Sequence, residues 1–300
     1  MKLICIFCTL LLLTSCVKEV KVNPEFEGAK LVLNALICPD SIIRVHMSAS
    51  SAMGQVVPNL NDVQLKLFQN GVEVGTFYYD TLGWYKNDFY PSAGNAYQMV
   101  AVSPNFGKVE ANTFIPFLPQ NLNGTYYKIS DVPIEDNGVV KYFDTESKIT
   151  FLDNPLVENY YEIGQNVFLY QQTQEKDPSL LSDGDLSYNP RNYYCSDALF
   201  NGQLKTFLLR KGGYVSLSPF GTFDHDDNYR RLIKSCSKEY YLFRKAWTKH
   251  VYNQNSTDLL DDPLQILFYG DPVVMYSNVV GGYGVFAGYS QTLLKMTYVE

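Results

Sequence analysis

Between Asp62 and Gln69 the sequence alternates apolar and polar residues with a period of two, and Asn70-Gly71 then opens a second β-rich run, Val72 to Tyr79. Val63, Leu65 and Leu67 fall on one phase and Gln64 and Lys66 on the other, which in a strand sends them to opposite faces. Asn-Gly tolerates the positive φ angles that the tightest hairpin turn demands. A chain made of such segments has to bury one face of each sheet against another layer. Further strand-forming runs are Lys30 to Cys38 (KLVLNALIC) and Ile42 to Ser48 (IIRVHMS), separated by Pro39-Asp40, and Gly83 to Asn87, Asn95 to Val102 and Lys108 to Ile115. With the hairpin these runs predict about seven strands at the spacing of a β-sandwich. Pro116 and Pro119 mark its end, so the sandwich is placed over residues 29–116.

The remainder, residues 117–300, reads as a second β-rich domain with one helix. Ser147 to Leu152 and Tyr160 to Gln171 form an expected strand pair, and a polar loop with Pro178, Gly184 and Pro190 follows from Gln172 to Asn192. Leu204 to Arg210 and Tyr214 to Leu217 are further strands. Only one segment is helical in period: after Ser235 and Ser237 as possible caps, Tyr240, Phe243, Trp247 and Val251 recur at helical spacing through Asn253. Gly281, Gly282 and Gly284 permit backbone closed to other residues, so a turn or bulge is expected there, capped by Asn278. It would start a strand in which Phe286 packs inward. The glycine spacing lacks the Rossmann pattern and its strand-to-helix context, so no dinucleotide, and no other cofactor, is implied.

The amino terminus sets location. Lys2 precedes a largely apolar run, Leu3 to Leu13, which is far short of the roughly 20 residues a spanning helix needs. Leu13-Thr14-Ser15-Cys16 resembles the lipobox of bacterial lipoproteins, so residues 1–15 are expected to be a signal peptide, Cys16 the lipidated first residue, and 16–28 a short tether. Val17 stands where an aspartate would retain a lipoprotein in the inner membrane; the expected location is the outer membrane, on either face. Cleavage removes Lys2, leaving 23 basic against 31 acidic residues and a net charge of −8. That balance excludes a nucleic-acid partner. Hydrophobic residues at 46% and 24 tyrosines exclude a disordered chain.

Cleavage also discards Cys5 and Cys8, leaving Cys38, Cys195 and Cys236 beside the lipidated residue. Cys195 and Cys236 form the expected bridge in an oxidising envelope, with three buried thiols as the alternative. No metal is expected: Asp224, Asp226 and Asp227 around His225, with Asp183-Gly184-Asp185, offer oxygen ligands without an EF-hand pattern, and read as solvated acidic turns. His46, His225 and His250 are too scattered for zinc. No catalytic residue is assigned. Ser235-x-x-Lys238 fits a nucleophile motif by letters but lacks its companion motifs. Asp153, Glu158 and Glu162 could form a glycosidase pair only across a common cleft. Tyrosine doublets supply the remaining candidates, because neighbours on a strand face opposite ways. Tyr193-Tyr194, beside Cys195, are the possible binding aromatics.

Three further motifs carry a resemblance. Ser196-Asp197-Ala198-Leu199-Phe200-Asn201-Gly202, the Ser237-Lys238-Glu239-Tyr240-Tyr241 helix start, and Ser277-Asn278-Val279-Val280-Gly281-Gly282-Tyr283-Gly284-Val285-Phe286 follow a lipobox and a β-sandwich in order. Together they resemble the Bacteroidetes lipoprotein family labelled domain of unknown function 4249. Near Asp261-Asp262-Pro263 the chain departs from that pattern, with Gln265-Ile266-Leu267-Phe268 in place of a more polar stretch. The first domain also resembles immunoglobulin/transthyretin-like and carboxypeptidase-regulatory sandwiches, with Gly83-Trp84-Tyr85 and Gly94-Asn95-Ala96-Tyr97 at their Gly-x-Tyr turns. The resemblance implies a membrane partner through the N-terminal lipid and an accessory role beside a TonB-dependent outer-membrane receptor. A surface glycan-active or peptide-active hydrolase and a structural envelope component are the alternatives.

Overall fold

A computed structural model describes residues 26, 28–129, 134–136, 140–164, 173–175, 192–214, 229–254, 270 and 273–300. The N-terminal half forms strands β1 (Leu31–Ile37), β2 (Ile43–Ala49), β3 (Gln64–Gln69), β4 (Val72–Thr76), β5 (Tyr78–Thr81), β6 (Trp84–Asn87), β7 (Ala96–Ser103) and β8 (Gly107–Phe114). After them come β9 (Gln120–Lys128), β10 (Ile134–Asp136), β11 (Val140–Leu152), β12 (Tyr160–Gly164), β13 (Thr173–Glu175), β14 (Asn192–Ser196), β15 (Leu204–Tyr214) and β16 (Arg230–Cys236). Helix α1 (Lys238–Gln254), β17 (Tyr283–Lys295) and β18 (Thr297–Tyr298) complete the chain.

The fold is mainly β. An eight-stranded sheet in the order β14-β12-β16-β17-β1-β2-β6-β5 forms the backbone of the molecule. One of its faces is covered twice, by a four-stranded sheet (β4-β3-β7-β8) and by a second sheet ordered β13-β15-β11-β9-β18, with β10 paired to β11. Leu31, Leu33, Val45 and Met47 from the large sheet meet Leu65, Leu67, Met99 and Ala111 from the four-stranded one in the first core. Tyr161, Ile163, Cys195 and Ile233 meet Tyr126, Ile149, Phe151 and Phe207 in the second.

β17 joins the two halves. At about 3.3 Å per residue its 13 residues run roughly 43 Å. Tyr283 to Gly288 pair in parallel with β1, and Tyr289 to Lys295 pair antiparallel with β16. Its inner face gives Phe286 to the first core and Leu294 to the second. The boundary expected after residue 116 therefore separates two cores but not two sheets. The backbones of β1 and β17 come together where the glycines lie: a Cβ on Gly284, whose φ is 115°, would collide with the Leu33 carbonyl oxygen. The expected turn is present, with Gly281 at φ 84° and Phe286 fully buried. Asn278 does more than cap it. Its Oδ1 accepts the Phe286 N–H and its Nδ2 donates to the Phe286 carbonyl, a side chain standing in for a neighbouring strand.

Other expectations are met or corrected locally. Asn70 (φ 50°) and Gly71 (φ 84°) make the tight β3–β4 turn. The run Val72 to Tyr79 is not one strand, because Phe77 packs into the core and β5 leaves its partner for the other sheet. Tyr85 and Tyr97 bury their rings and hydrogen-bond loop backbone, the Tyr85 hydroxyl accepting from Val63 N and that of Tyr97 from Ser92 N. The expected pairing of residues 147–152 with the strand at Tyr160 does not occur: β11 pairs β9 and β15, while β12 pairs β14 and β16 in the facing sheet. β12 is buried on both faces and shows no alternation that would name its partner, so sequence proximity misleads. No described helix is long and apolar enough to cross a membrane.

The Cys195–Cys236 bridge is also corrected. Both cysteines are buried and neither is in a disulfide, and the same holds for Cys38. Tyr161 is the partner of Cys195 and Tyr160 the partner of Cys236, so β12 lies between the cysteines and their side chains enter different clusters on opposite faces. Strands two apart are roughly 10 Å from each other, beyond the reach of a disulfide. A chain expressed without its first 16 residues should show three thiols, unreactive to a thiol reagent until denatured. A Cys195–Cys236 bridge found by mass spectrometry would overturn the strand order.

Candidate functional site

Several sequence candidates turn out to be structural. Tyr193 and Tyr194 are 5% and 3% exposed and pack to opposite sides of β14, so they offer no binding platform. Asp153 is buried in the second core, where its carboxylate accepts from the Tyr161 hydroxyl at 2.5 Å and from Gly202 N at 2.8 Å. Glu162 is buried beneath α1 on the other face of the sheet, and Glu158 is exposed and paired with Lys238 at 3.3 Å. These carboxylates share no cleft. Ser235 is buried in β16, whereas Lys238 begins the helix and turns to Glu158. The acidic residues Asp224, Asp226 and Asp227, with His225 and Asp183, fall outside the described residues, as does Cys16. Among the described residues no three metal-ligating side chains converge.

Helix α1 lies on the uncovered face of the large sheet. Ser237 caps it, its Oγ accepting from Tyr240 N at 3.2 Å. Tyr240 and Tyr241 pack on Tyr160, Val285, Ala287 and Tyr289. A polar network fastens the interface. The Tyr240 hydroxyl donates to Glu162 at 2.6 Å and accepts from the Lys234 ammonium at 2.9 Å, while Lys234 also pairs with Glu162 at 3.1 Å. Arg244 donates twice to the Tyr194 hydroxyl, at 2.8 and 2.5 Å. Burial pushes the Tyr194 and Tyr240 hydroxyls above their ordinary range, Glu162 adding to it, so both stay protonated. The network holds the helix in one place, and Phe243, one turn along, is thereby fixed over the sheet.

Phe243 forms one wall of an open cleft of about 470 Å³ whose floor is the outer face of β1, β2 and β6. Leu36, Ile42, Trp84 and Val285 supply the other apolar surfaces, and Asn34, Ser41 and Arg44 the polar ones. Leu36 is 40% exposed and Trp84 37%, on a face where alternation ordinarily puts polar residues. The Arg44 guanidinium lies over the Trp84 ring, 5.2 Å from its centroid, and His46 meets that ring edge-on at 5.0 Å. Arg44 reaches Asp80 at 3.4 Å, but Lys86 holds the same carboxylate at 2.8 Å. That hydrogen bond keeps Asp80 below the usual carboxylate range. Trp247, one turn beyond Phe243, is exposed.

The sequence matches one protein-family model over residues 17–294, described as Domain of unknown function (DUF4249). The chain belongs to this family. No curated protein matches it significantly. In this DUF4249 chain the segments that carried the resemblance build the scaffold. Asp197 accepts from the backbone and side-chain nitrogens of Asn159, Phe200 fills the second core, and Gly202 binds Asp153. Ser237 caps α1, and the glycine-rich segment joins β17 to β1. The cleft residues of this family member escaped the sequence reading. Leu36 and Trp84 were visible as apolar residues on the polar phase of their strands, but only the topology brings Phe243 over them.

Proposed function

We propose that this DUF4249 protein is a lipid-anchored outer-membrane lipoprotein, acylated at Cys16, that binds its partner or ligand through the cleft beside α1. Its role is that of an accessory component of TonB-dependent uptake and not that of an enzyme. The observation that carries the binding reading is the cleft itself: exposed Leu36 and Trp84 face Phe243 across an open apolar space. Such a patch, with a few placed polar groups, is the usual form of a binding site. The anchor reading rests on the Leu13-Thr14-Ser15-Cys16 motif, and the polar, Pro-containing segment after it suits a tether.

Cys16→Ala should move the protein from the membrane fraction to the soluble envelope fraction and abolish labelling by a fatty-acid analogue. Unchanged labelling would refute the anchor. Purification of the native protein from outer membranes in mild detergent should bring a TonB-dependent receptor with it, and recovery of the chain alone would count against the uptake role.

A further inference from the structure

We infer that the cleft takes a small amphipathic acid: an apolar, planar body seated between Phe243 and the sheet, with one carboxylate or sulfonate held by Arg44. This rests on the reading of the cleft as a binding site and adds the chemistry of the ligand.

The polar lining is one-sided. A guanidinium has five N–H donors, and Arg44 directs one toward Asp80 at the long distance of 3.4 Å. Asp80 is the closer partner of Lys86, so the trio of Arg44, Asp80 and Lys86 carries one net positive charge at the rim. Asn34 spends its Oδ1 on Val285 N at 3.2 Å, which leaves its amide nitrogen to donate into the cleft. The Ser41 hydroxyl sits 3.4 Å from the Cys38 sulfur. Among the described residues no carboxylate lines the space. A ligand rich in donors would meet only the neutral oxygens of Ser41 and Asn34 among the described side chains, and a cation would be repelled. An anion gains the guanidinium, whose plane is already set by Trp84 and whose paired N–H groups match the two oxygens of a carboxylate. The cleft volume of about 470 Å³ suits a small molecule. Leu36, Ile42 and Phe243 give its apolar body somewhere to go.

The test uses two dyes of one aromatic frame, 8-anilinonaphthalene-1-sulfonate and the uncharged N-phenyl-1-naphthylamine, titrated into the folded mature chain. The sulfonate should bind about tenfold tighter or more, as a charge-assisted pair implies. 3-Phenylpropionate should displace it and 3-phenylpropionamide should not. Arg44→Gln should bring the two dyes within about twofold of each other. Leu36→Glu, at an exposed position, should abolish sulfonate binding with the circular dichroism spectrum unchanged. Equal binding of the two dyes by the unaltered protein would overturn the acid while leaving a binding cleft. Binding of neither, or binding indifferent to Leu36→Glu, would overturn the cleft and with it the binding reading. Displacement by phosphatidylglycerol vesicles but not by 3-phenylpropionate would overturn the choice of a soluble acid.

Discussion

Gly284→Ala is expected to lower the free energy of unfolding by about 4 kcal/mol, combining the strain of a positive φ with forced separation of packed backbone. The φ of 115° is one that side chains rarely adopt, and the new methyl group would strike the Leu33 carbonyl near the start of the β1–β17 pair. Relief requires those strands to part, and both cores then lose a shared edge. Gly107→Ala is the control. Its φ of 77° is also positive, but nothing lies within 4 Å of the added carbon, so about 1 kcal/mol is expected. Urea unfolding of the two variants beside the unaltered chain measures the difference. Equal costs at the two positions would show that the close approach of β17 to β1 contributes nothing.

Alkali should unfold the protein steeply. Burial raises the hydroxyls of Tyr161, Tyr194 and Tyr240 well above the ordinary value of 10.0, and carboxylates near Tyr161 and Tyr240 add to it. Between pH 10 and their folded values these groups hold protons in the native state that the unfolded chain has released. The unfolded state then binds fewer protons, so stability falls as pH rises, and it is fully present only below pH 10. Each retained proton contributes a slope of about 1.4 kcal/mol per pH unit, so three give roughly 4. The part of the tyrosinate absorbance that these buried rings contribute and the far-ultraviolet circular dichroism should therefore change together in one narrow step. Gradual ionisation of these tyrosines with the fold intact would refute their burial. Tyr161→Phe should make the step shallower by about one proton.

The parts of this fold written in local sequence were legible there. Alternation placed β3, β-rich runs placed β1, β2 and β7, Asn70-Gly71 placed the β3–β4 hairpin, and serines followed by Tyr240, Phe243, Trp247 and Val251 at helical spacing placed α1. Partnership was not legible. β12 and β14 are buried on both faces, so Tyr160 to Gly164 shows no alternation and gives no clue to its neighbours. The same burial conceals Tyr193 and Tyr194, which read as candidate binding residues because a doublet on a half-exposed strand would show one ring to solvent. Cys195 and Cys236 looked paired for want of the intervening strand. The cleft illustrates the converse: Arg44, Trp84 and Phe243 come from separate elements, and no spacing in the sequence could have joined them.

The shared strand also governs how the chain can reach this structure. Asn34 and Val285, hydrogen-bonded in the β1–β17 pair, are 251 positions apart in the sequence. Loop closure over such a distance must precede the reward of contact, and topologies dominated by it fold slowly. Whatever the order in which the rest condenses, β1 keeps an open edge until β17 docks beside it. Neither sandwich can close its large sheet before then, so the docking of β17 completes both at once.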